Sequence, residues 1–242
     1  MLAIFKKEIN LFFSSLIGYI SIGVFLALTG MFMWILPNFN IFDYGFASLE
    51  QLFTIGPYVF WFLIPAITMR SFAEEQKTGT IEIISTKPIT DFQIVAGKYL
   101  AGLVLILFSL LPTLLYLYTI SDLAMPQGNV DSGAAWGSYL GLFFIGGAYL
   151  AIGLFASSIT DNQIVSFILG MFLCFFFFQL LDFMKEISFL TSFDTFFDAI
   201  SLQYHYNSIS RGVLDTRDLI YFLSFIGVFL FSTKTVIASR KW

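Results

Sequence analysis

The chain has 242 residues, of which 58% are hydrophobic and 12% are charged, and its formal net charge is −4. Because a soluble globular domain is normally about one quarter charged, this composition excludes a water-soluble core of such a size. Most of the chain is therefore expected to lie in a lipid bilayer.

Six long stretches of the chain contain no charged residue. A helix needs about 20 mostly apolar residues to span a bilayer. We therefore predict an all-α, polytopic membrane protein with a single transmembrane domain over residues 1–242. Buried helices of a large soluble protein are the alternative, and six consecutive stretches with so few charges argue against it. The predicted spans cover approximately residues 16–36, 52–69, 98–120, 136–158, 164–182 and 219–237.

The first 15 residues have the pattern of an amphipathic helix. Apolar residues recur at helical spacing, and polar residues occupy the other face. Such a helix lies in the membrane interface before the chain enters the bilayer. A cytosolic extension of the first span fits the pattern equally well. The apolar positions are Leu2, Phe5, Ile9, Phe12, Phe13 and Leu16, and the polar ones are Lys6, Lys7, Asn10 and Ser14.

Proline interrupts two of the predicted spans. The second span contains Pro57 and Pro65, and the third contains Pro112. Proline removes a backbone hydrogen bond, which a membrane helix tolerates only where neighbours satisfy the freed carbonyl. These two spans are therefore expected to be bent and packed against other helices.

The polar segment at residues 70–97 is expected to be an ordered cytosolic loop. Ser71 and Glu74 have the spacing of a capping box, and the short helix that they start would end at Gly79. A second cap, from Thr90 to Gln93, would start a helix that continues into the third span. Between the two caps lies the apolar stretch 81–84.

This loop also has the composition of a protein interface. Charged residues surround Ile81, Ile83 and Ile84, and a polar rim around an apolar centre is typical of protein–protein contacts. A solvated loop whose isoleucines pack against the membrane is the alternative. The charged residues are Arg70, Glu74, Glu75, Lys77, Glu82 and Lys87.

The segment at residues 183–218 is aromatic and is expected to form one or two helices that dip into the outer leaflet. A folded extracellular loop is the alternative. Positions 189, 190, 193, 196, 197 and 200 share one predicted helical face.

Lysine and arginine are distributed unevenly between the two sides of the predicted bundle. Nine of the 12 lie on the side of the N-terminus, and the bias places both termini in the cytosol. Those nine are Lys6, Lys7, Arg70, Lys77, Lys87, Lys98, Lys234, Arg240 and Lys241, and the other three are Lys185, Arg211 and Arg217.

Catalytic chemistry is not indicated by the sequence. The only Gly-Lys pair, Gly97–Lys98, lacks the surrounding residues of a nucleotide-binding loop. A lone histidine, His205, and a lone cysteine, Cys174, do not make a metal site. No cofactor and no nucleic-acid partner is expected. The predicted spans also lack the buried charges of ion-driven carriers, so energy for transport would come from a partner protein.

The loop sequence resembles that of a known transporter family. Residues 73–84 read AEEQKTGTIEII, residues 88–98 read PITDFQIVAGK, and residues 210–218 read SRGVLDTRD. The first two resemble the first cytosolic loop of ABC-2 type transporter permeases, with its Glu-Glu, Gly-Thr-x-Glu, Pro-Ile-Thr and Gly-Lys elements. The third resembles the stretch before the last span in that family. The overall similarity is greatest to the gliding-motility-associated ABC transporter permease subunits.

The resemblance implies a six-helix permease with an amphipathic N-terminal helix and a cytosolic coupling helix. It implies an inner-membrane exporter built from two permeases, identical or paralogous, and ATP-binding cassette ATPase subunits. The chain itself would hold no ATPase site. A non-transporting membrane scaffold of a motility or secretion machine is the alternative function. The residues implied to contact or support the ATPase are Glu74, Glu75, Gly79, Thr80 and Glu82.

Overall fold

The computed structural model describes residues 1–45, 48–85, 88–185, 194–212 and 215–239, except for the side chains of Tyr44 and residues 83–85. Within these ranges the chain forms helices and no strand. The α-helices are α1 (Leu2–Ser14), α2 (Leu16–Trp34), α3 (Ile41–Tyr44), α4 (Glu50–Thr68), α5 (Ala73–Lys77), α6 (Thr80–Ser85), α7 (Asp91–Leu110), α8 (Leu114–Leu123), α9 (Ser132–Ile159), α10 (Gln163–Phe175), α11 (Leu181–Lys185), α12 (Asp194–Ile200), α13 (Leu202–Ile209) and α14 (Thr216–Ser239).

Six helical stretches of the described residues are long and apolar enough to cross a membrane. They are α2, α4, the α7–α8 pair, α9, the α10–α11 pair and α14. Each overlaps one of the six ranges predicted from the sequence, and the all-α polytopic fold is confirmed. The third stretch begins at Asp91 rather than near residue 98, because the capping box predicted at Thr90 and Gln93 is formed.

Helix α9 is the centre of the bundle. It packs against α4, α7, α10, α13 and α14. In the most apolar part of α9, 78% of the residues are buried, whereas 22% are buried in the most apolar part of α14. Glycine, alanine and serine recur along α9 and allow neighbouring helices to approach closely. Every span except α2 therefore takes its position largely from one helix.

Helix α9 and the end of α4 approach each other closely at Gly153. A Cβ atom added at Gly153 would lie 2.1 Å from Thr68 Oγ1 and 3.0 Å from Thr68 Cβ. Thr68 is buried, and its hydroxyl donates to the carbonyl of Ile64 at 3.0 Å. The threonine therefore has no room to move away, and only glycine fits at position 153.

The prolines have different effects on the two spans that contain them. Pro57 and Pro65 both lie within the continuous helix α4. Pro112 lies in a 3-10 turn, Leu111–Thr113, that separates α7 from α8. The Tyr139 hydroxyl of α9 donates to the Thr113 carbonyl at 2.8 Å, so a neighbouring helix satisfies a carbonyl in the interrupted segment.

Helix α1 is separate from the first span. Ser15 between α1 and α2 has extended backbone, which excludes one continuous helix and favours the interfacial interpretation. Ile4 is buried against the start of α7, where a Cβ at Gly97 would lie 3.1 Å from Ile4 Cβ. Glu8, four residues along the same face, is also buried.

At the other end of the bundle, α12 and α13 form the two short helices expected between the last two spans. Phe197 and Tyr206 are buried by protein, whereas Phe196 and Tyr204 are exposed. The Tyr206 hydroxyl donates to the Phe53 carbonyl at 2.5 Å and so joins α13 to α4. The predicted apolar positions 189, 190 and 193 and the cations Lys87, Arg240 and Lys241 lie outside the described residues.

We predict that Gly153→Ala destabilises the protein. The added methyl group overpacks the α4–α9 contact, which typically costs about 1–3 kcal/mol and should lower the apparent thermal midpoint in detergent by about 5 °C. Gly227→Ala is the matched control, because no atom lies within 4 Å of a Cβ added there. Equal midpoints for the two variants would contradict the assigned contact.

Candidate functional site

The polar segment between α4 and α7 is attached to the central helix through one serine side chain. Ser157 Oγ, near the end of α9, accepts hydrogen bonds from the amides of Phe72 at 2.9 Å and Ala73 at 3.1 Å. The same hydroxyl donates to the Met69 carbonyl at 3.1 Å. These amides begin α5 and have no intrahelical acceptor, so Ser157 supplies the cap from a distant part of the chain.

This arrangement corrects one prediction. The capping box at Ser71 and Glu74 is wrong, since α5 has no side-chain cap of its own and the Glu74 amide donates to the Arg70 carbonyl at 3.3 Å. The first amides of α5, those of Phe72 and Ala73, use Ser157 of α9 instead of a side chain of their own segment. A second bond, from Gln76 Nε2 to the Ser158 carbonyl at 3.0 Å, strengthens the same attachment.

A buried lysine joins three separate parts of the chain at this end of the bundle. Lys98 Nζ lies 2.8 Å from Glu8 Oε1 in α1 and 3.0 Å from Glu75 Oε1 in α5. It also donates to the Ser71 carbonyl at 2.8 Å. Only 2% of the Lys98 side chain and 7% of the Glu8 side chain are exposed. The ammonium group therefore has two hydrogen-bond acceptors, Glu8 and the Ser71 carbonyl, and a second carboxylate within ion-pair distance.

Lys7 completes this group, which we call the Lys98 cluster (Lys7, Glu8, Glu75 and Lys98). Lys7 Nζ lies 2.6 Å from Glu75 Oε1 and 3.5 Å from Glu8 Oε1. Partial burial lowers the pKa of Lys7, but the hydrogen bond to Glu75 and the attraction of both glutamates outweigh this effect, so its pKa is raised. Lys7 therefore stabilises the fold at neutral pH, and its contribution is lost only as the pH rises through the raised pKa.

The cluster places the predicted partner-binding residues in two groups. Glu75 is largely buried and paired with two lysines of its own chain. Glu74, Gly79, Thr80 and Glu82 are exposed. Sequence reasoning therefore gave one role to five residues that lie in two different environments.

The exposed group is held in a compact corner between α5 and α6. Gly79 has φ +70°, the left-handed backbone that a helix-ending glycine supplies, as predicted. The hydroxyl groups of Thr78 and Thr80 lie 3.0 Å apart, and Thr80 Oγ1 donates to the Glu75 carbonyl at 3.4 Å. Ile81, predicted to be exposed, is partly buried against the core. We call this region, residues 74–82, the α5–α6 corner.

Three residues of the cluster, Lys7, Glu8 and Lys98, were missed from the sequence as site residues. Glu8 was detectable, because it lies four residues after Ile4 on the face of α1 that would otherwise be apolar. Lys98 was noted only as a topology signal and as part of a motif. Its burial depends on the approach of α1 and α5, which no local pattern reports.

A second polar group lies at the other end of the bundle. His205 Nδ1 lies 2.6 Å from Asp218 Oδ1, and the imidazole stacks on the Tyr221 ring at 3.7 Å. Lys185 pairs with Asp182 and Asp198 and joins α11 to α12. His205 thus bonds α13 to the start of α14.

Comparison with known proteins identifies a family. Residues 49–238 match the sequence model of the family described as ABC-2 family transporter protein. No curated protein matches the chain. The matched range includes the α5–α6 corner, Lys98 and Ser157, and it covers most of the chain.

We predict that Lys98→Met is strongly destabilising. The substitution leaves the carboxylates of Glu8 and Glu75 buried with less compensation, and breaking a buried pair costs about 3–5 kcal/mol. The apparent thermal midpoint in detergent should fall well below that of Lys77→Met, an exposed lysine in the same loop.

The triple variant Lys98→Met, Glu8→Gln, Glu75→Gln should recover part of the loss, because it removes the uncompensated charges together with the lysine. An unchanged midpoint in Lys98→Met, or no recovery in the triple variant, would show that the cluster does not hold these segments together.

Proposed function

Since the chain belongs to the ABC-2 transporter family, we propose that it is the permease subunit of an ATP-driven exporter, which couples ATP hydrolysis by a partner ATPase to movement of its spans. Family membership makes the chain a membrane component that works with an ATP-binding cassette ATPase. The finer proposal concerns the route from that ATPase to the membrane helices.

The proposal is carried by the attachment of α5 to α9 through Ser157. A loop that made no bonds to the bundle could move without displacing the spans. Here α5 is bound to the helix against which α4, α7, α10 and α14 pack. A force on the α5–α6 corner would therefore reach most of the bundle as a rigid-body displacement.

The Lys98 cluster supplies a second connection. Through Glu75, the same loop is bound to Lys98 in α7 and to Lys7 in α1. Both connections begin on α5. A push on α5 would therefore move α7 and α9 together, and α1 with them.

The exposed residues of the α5–α6 corner are the proposed contact with the ATPase. Glu74 and Glu82 present two carboxylates beside the backbone of Gly79 and Thr80, so we expect basic side chains on the partner surface. Glu75 supports this contact from inside the protein by fixing the position of α5.

The remaining parts of the assembly follow from the family resemblance and the charge bias. We infer that a second permease, identical or paralogous, pairs with this chain in the cytoplasmic membrane, with both termini in the cytosol. The closer resemblance to gliding-motility-associated subunits suggests that the export serves gliding. A membrane scaffold that does not transport is the alternative, and it would keep its function when the ATPase is present but catalytically inactive.

We predict that the double charge reversal Glu74→Lys, Glu82→Lys reduces the amount of ATPase that co-purifies with the chain from its native membrane by about tenfold or more, because like charges would then face each other. Glu50→Lys is the matched control, since Glu50 is an exposed glutamate at the start of α4, far from the corner along that helix. Undiminished recovery of the ATPase with the double variant would overturn the proposed contact.

We further predict that Ser157→Ala separates binding from coupling. The variant leaves two buried amides without an acceptor, at a cost of about 1–3 kcal/mol, but leaves the exposed corner intact. The ATPase should still co-purify, while the ATP hydrolysis rate of the reconstituted complex falls severalfold. Ser158→Ala is the control, because Gln76 binds the Ser158 carbonyl and not its hydroxyl. Equal hydrolysis rates in the two variants would contradict coupling through Ser157.

A further inference from the structure

A cavity of about 620 Å³ lies between α1 and the loop that carries the α5–α6 corner. Its walls include the end of α1, the start of α2, the end of α4 and the Lys98 cluster. Because two spans terminate here and α1 is amphipathic, the cavity lies where the apolar part of the bilayer gives way to the headgroups.

The lining of the cavity contains both apolar and charged side chains. Leu11, Phe12, Ile17 and Ile67 are apolar, and the Lys98 cluster, Arg70 and Glu74 are charged. A purely polar metabolite would leave the apolar side chains in contact with water. A molecule with both a charged head and an apolar body matches both kinds of lining residue.

Two opposite charges on the cavity wall have no partner in the described part of the chain. The Lys98 cluster contributes two positive and two negative charges that neutralise one another. Arg70 and Glu74 also line the cavity, are exposed, and pair neither with each other nor with another described residue. They therefore determine which charges a ligand must carry.

Glu75 adds a second carboxylate to the charged part of the lining. Its Oε1 atom binds Lys7 and Lys98, whereas its Oε2 atom is buried without a hydrogen-bond partner. A cation bound at Glu74, the preceding residue, would also be attracted by the negative charge of Glu75. The wall is thus arranged for one anion near Arg70 and one cation near Glu74.

We propose that this cavity binds a phospholipid whose headgroup carries both a phosphate and a primary ammonium, as phosphatidylethanolamine does. The Arg70 guanidinium binds the phosphate, because its planar group carries several N–H donors that match phosphate oxygens. The Glu74 carboxylate accepts hydrogen bonds from the ammonium group. The glycerol and first acyl carbons lie against Leu11 and Phe12. Glu74 is also part of the proposed ATPase contact, so the lipid is assigned to the permease without its ATPase. The assignment does not depend on the proposed function.

Compounds that lack one feature of phosphatidylethanolamine test the proposed contacts separately. Phosphatidylcholine has the same charges, but its quaternary ammonium has no N–H to donate to a carboxylate. Phosphatidylglycerol has the phosphate and no cation. Soluble phosphoethanolamine has both charged groups and lacks the apolar body.

The test measures the thermal midpoint of the purified full-length chain in detergent with each lipid at equal mole fraction, and counts bound lipid by native mass spectrometry. We expect phosphatidylethanolamine to raise the midpoint by about 5 °C, and to do so more than phosphatidylcholine or phosphatidylglycerol. Arg70→Gln and Glu74→Gln should each remove this preference. Lys77→Gln, an exposed change outside the cavity, should keep it.

Three results would overturn the proposal. Equal stabilisation by all three lipids would show that the protein does not recognise the headgroup. A preference retained in both variants would show that Arg70 and Glu74 do not bind it. Stabilisation by soluble phosphoethanolamine as large as that by the lipid would assign the cavity to a free headgroup compound. Native mass spectrometry reads lipid on folded protein only, so a variant with a lowered starting midpoint still gives a decisive count.

Discussion

The burial of one ammonium group organises the end of the molecule where the polar loop lies. An isolated charge removed from water costs several kcal/mol, so Lys98 can lie inside the protein only with Glu8 and Glu75 around it. These residues come from α7, α1 and α5, three segments that no covalent constraint brings together. The position of the amphipathic helix and that of the loop are therefore set by the same requirement.

The two ends of the bundle satisfy their polar groups in different ways. Near Lys98, the polar contacts join a loop to the helix starts and to α9, and so connect the surface to the centre. At the other end, His205 with Asp218 and Lys185 with its two aspartates join short helices to their neighbours. Between the ends, α9 packs through small residues. The middle is thus a dense contact region, and polar bonding is concentrated where water or headgroups are near.

The sequence predicted the parts of the structure that depend on local pattern. Long charge-free runs gave the six spans, and the Thr90 cap and the Gly79 turn follow from residues close to each other along the chain. The predictions that were wrong concern contacts between residues that are far apart along the chain. Ser71 was assigned as a cap from its spacing to Glu74. The serine that caps α5 in the structure, Ser157, is more than 80 residues away along the chain. Likewise, five candidate contact residues could be proposed from a motif, but only packing separates buried Glu75 from its exposed neighbours.

The pairing of Glu8 with Lys98 also bears on how the protein is made. The two residues are 90 positions apart, and Glu8 leaves the ribosome first. Until the third span is inserted, Glu8 has no buried cation to pair with, and its burial against the membrane helices would be costly. Docking of α1 with Glu8 buried is therefore favourable only once α7 is in place. The docking of the N-terminal helix during biogenesis thus depends on the completed third span.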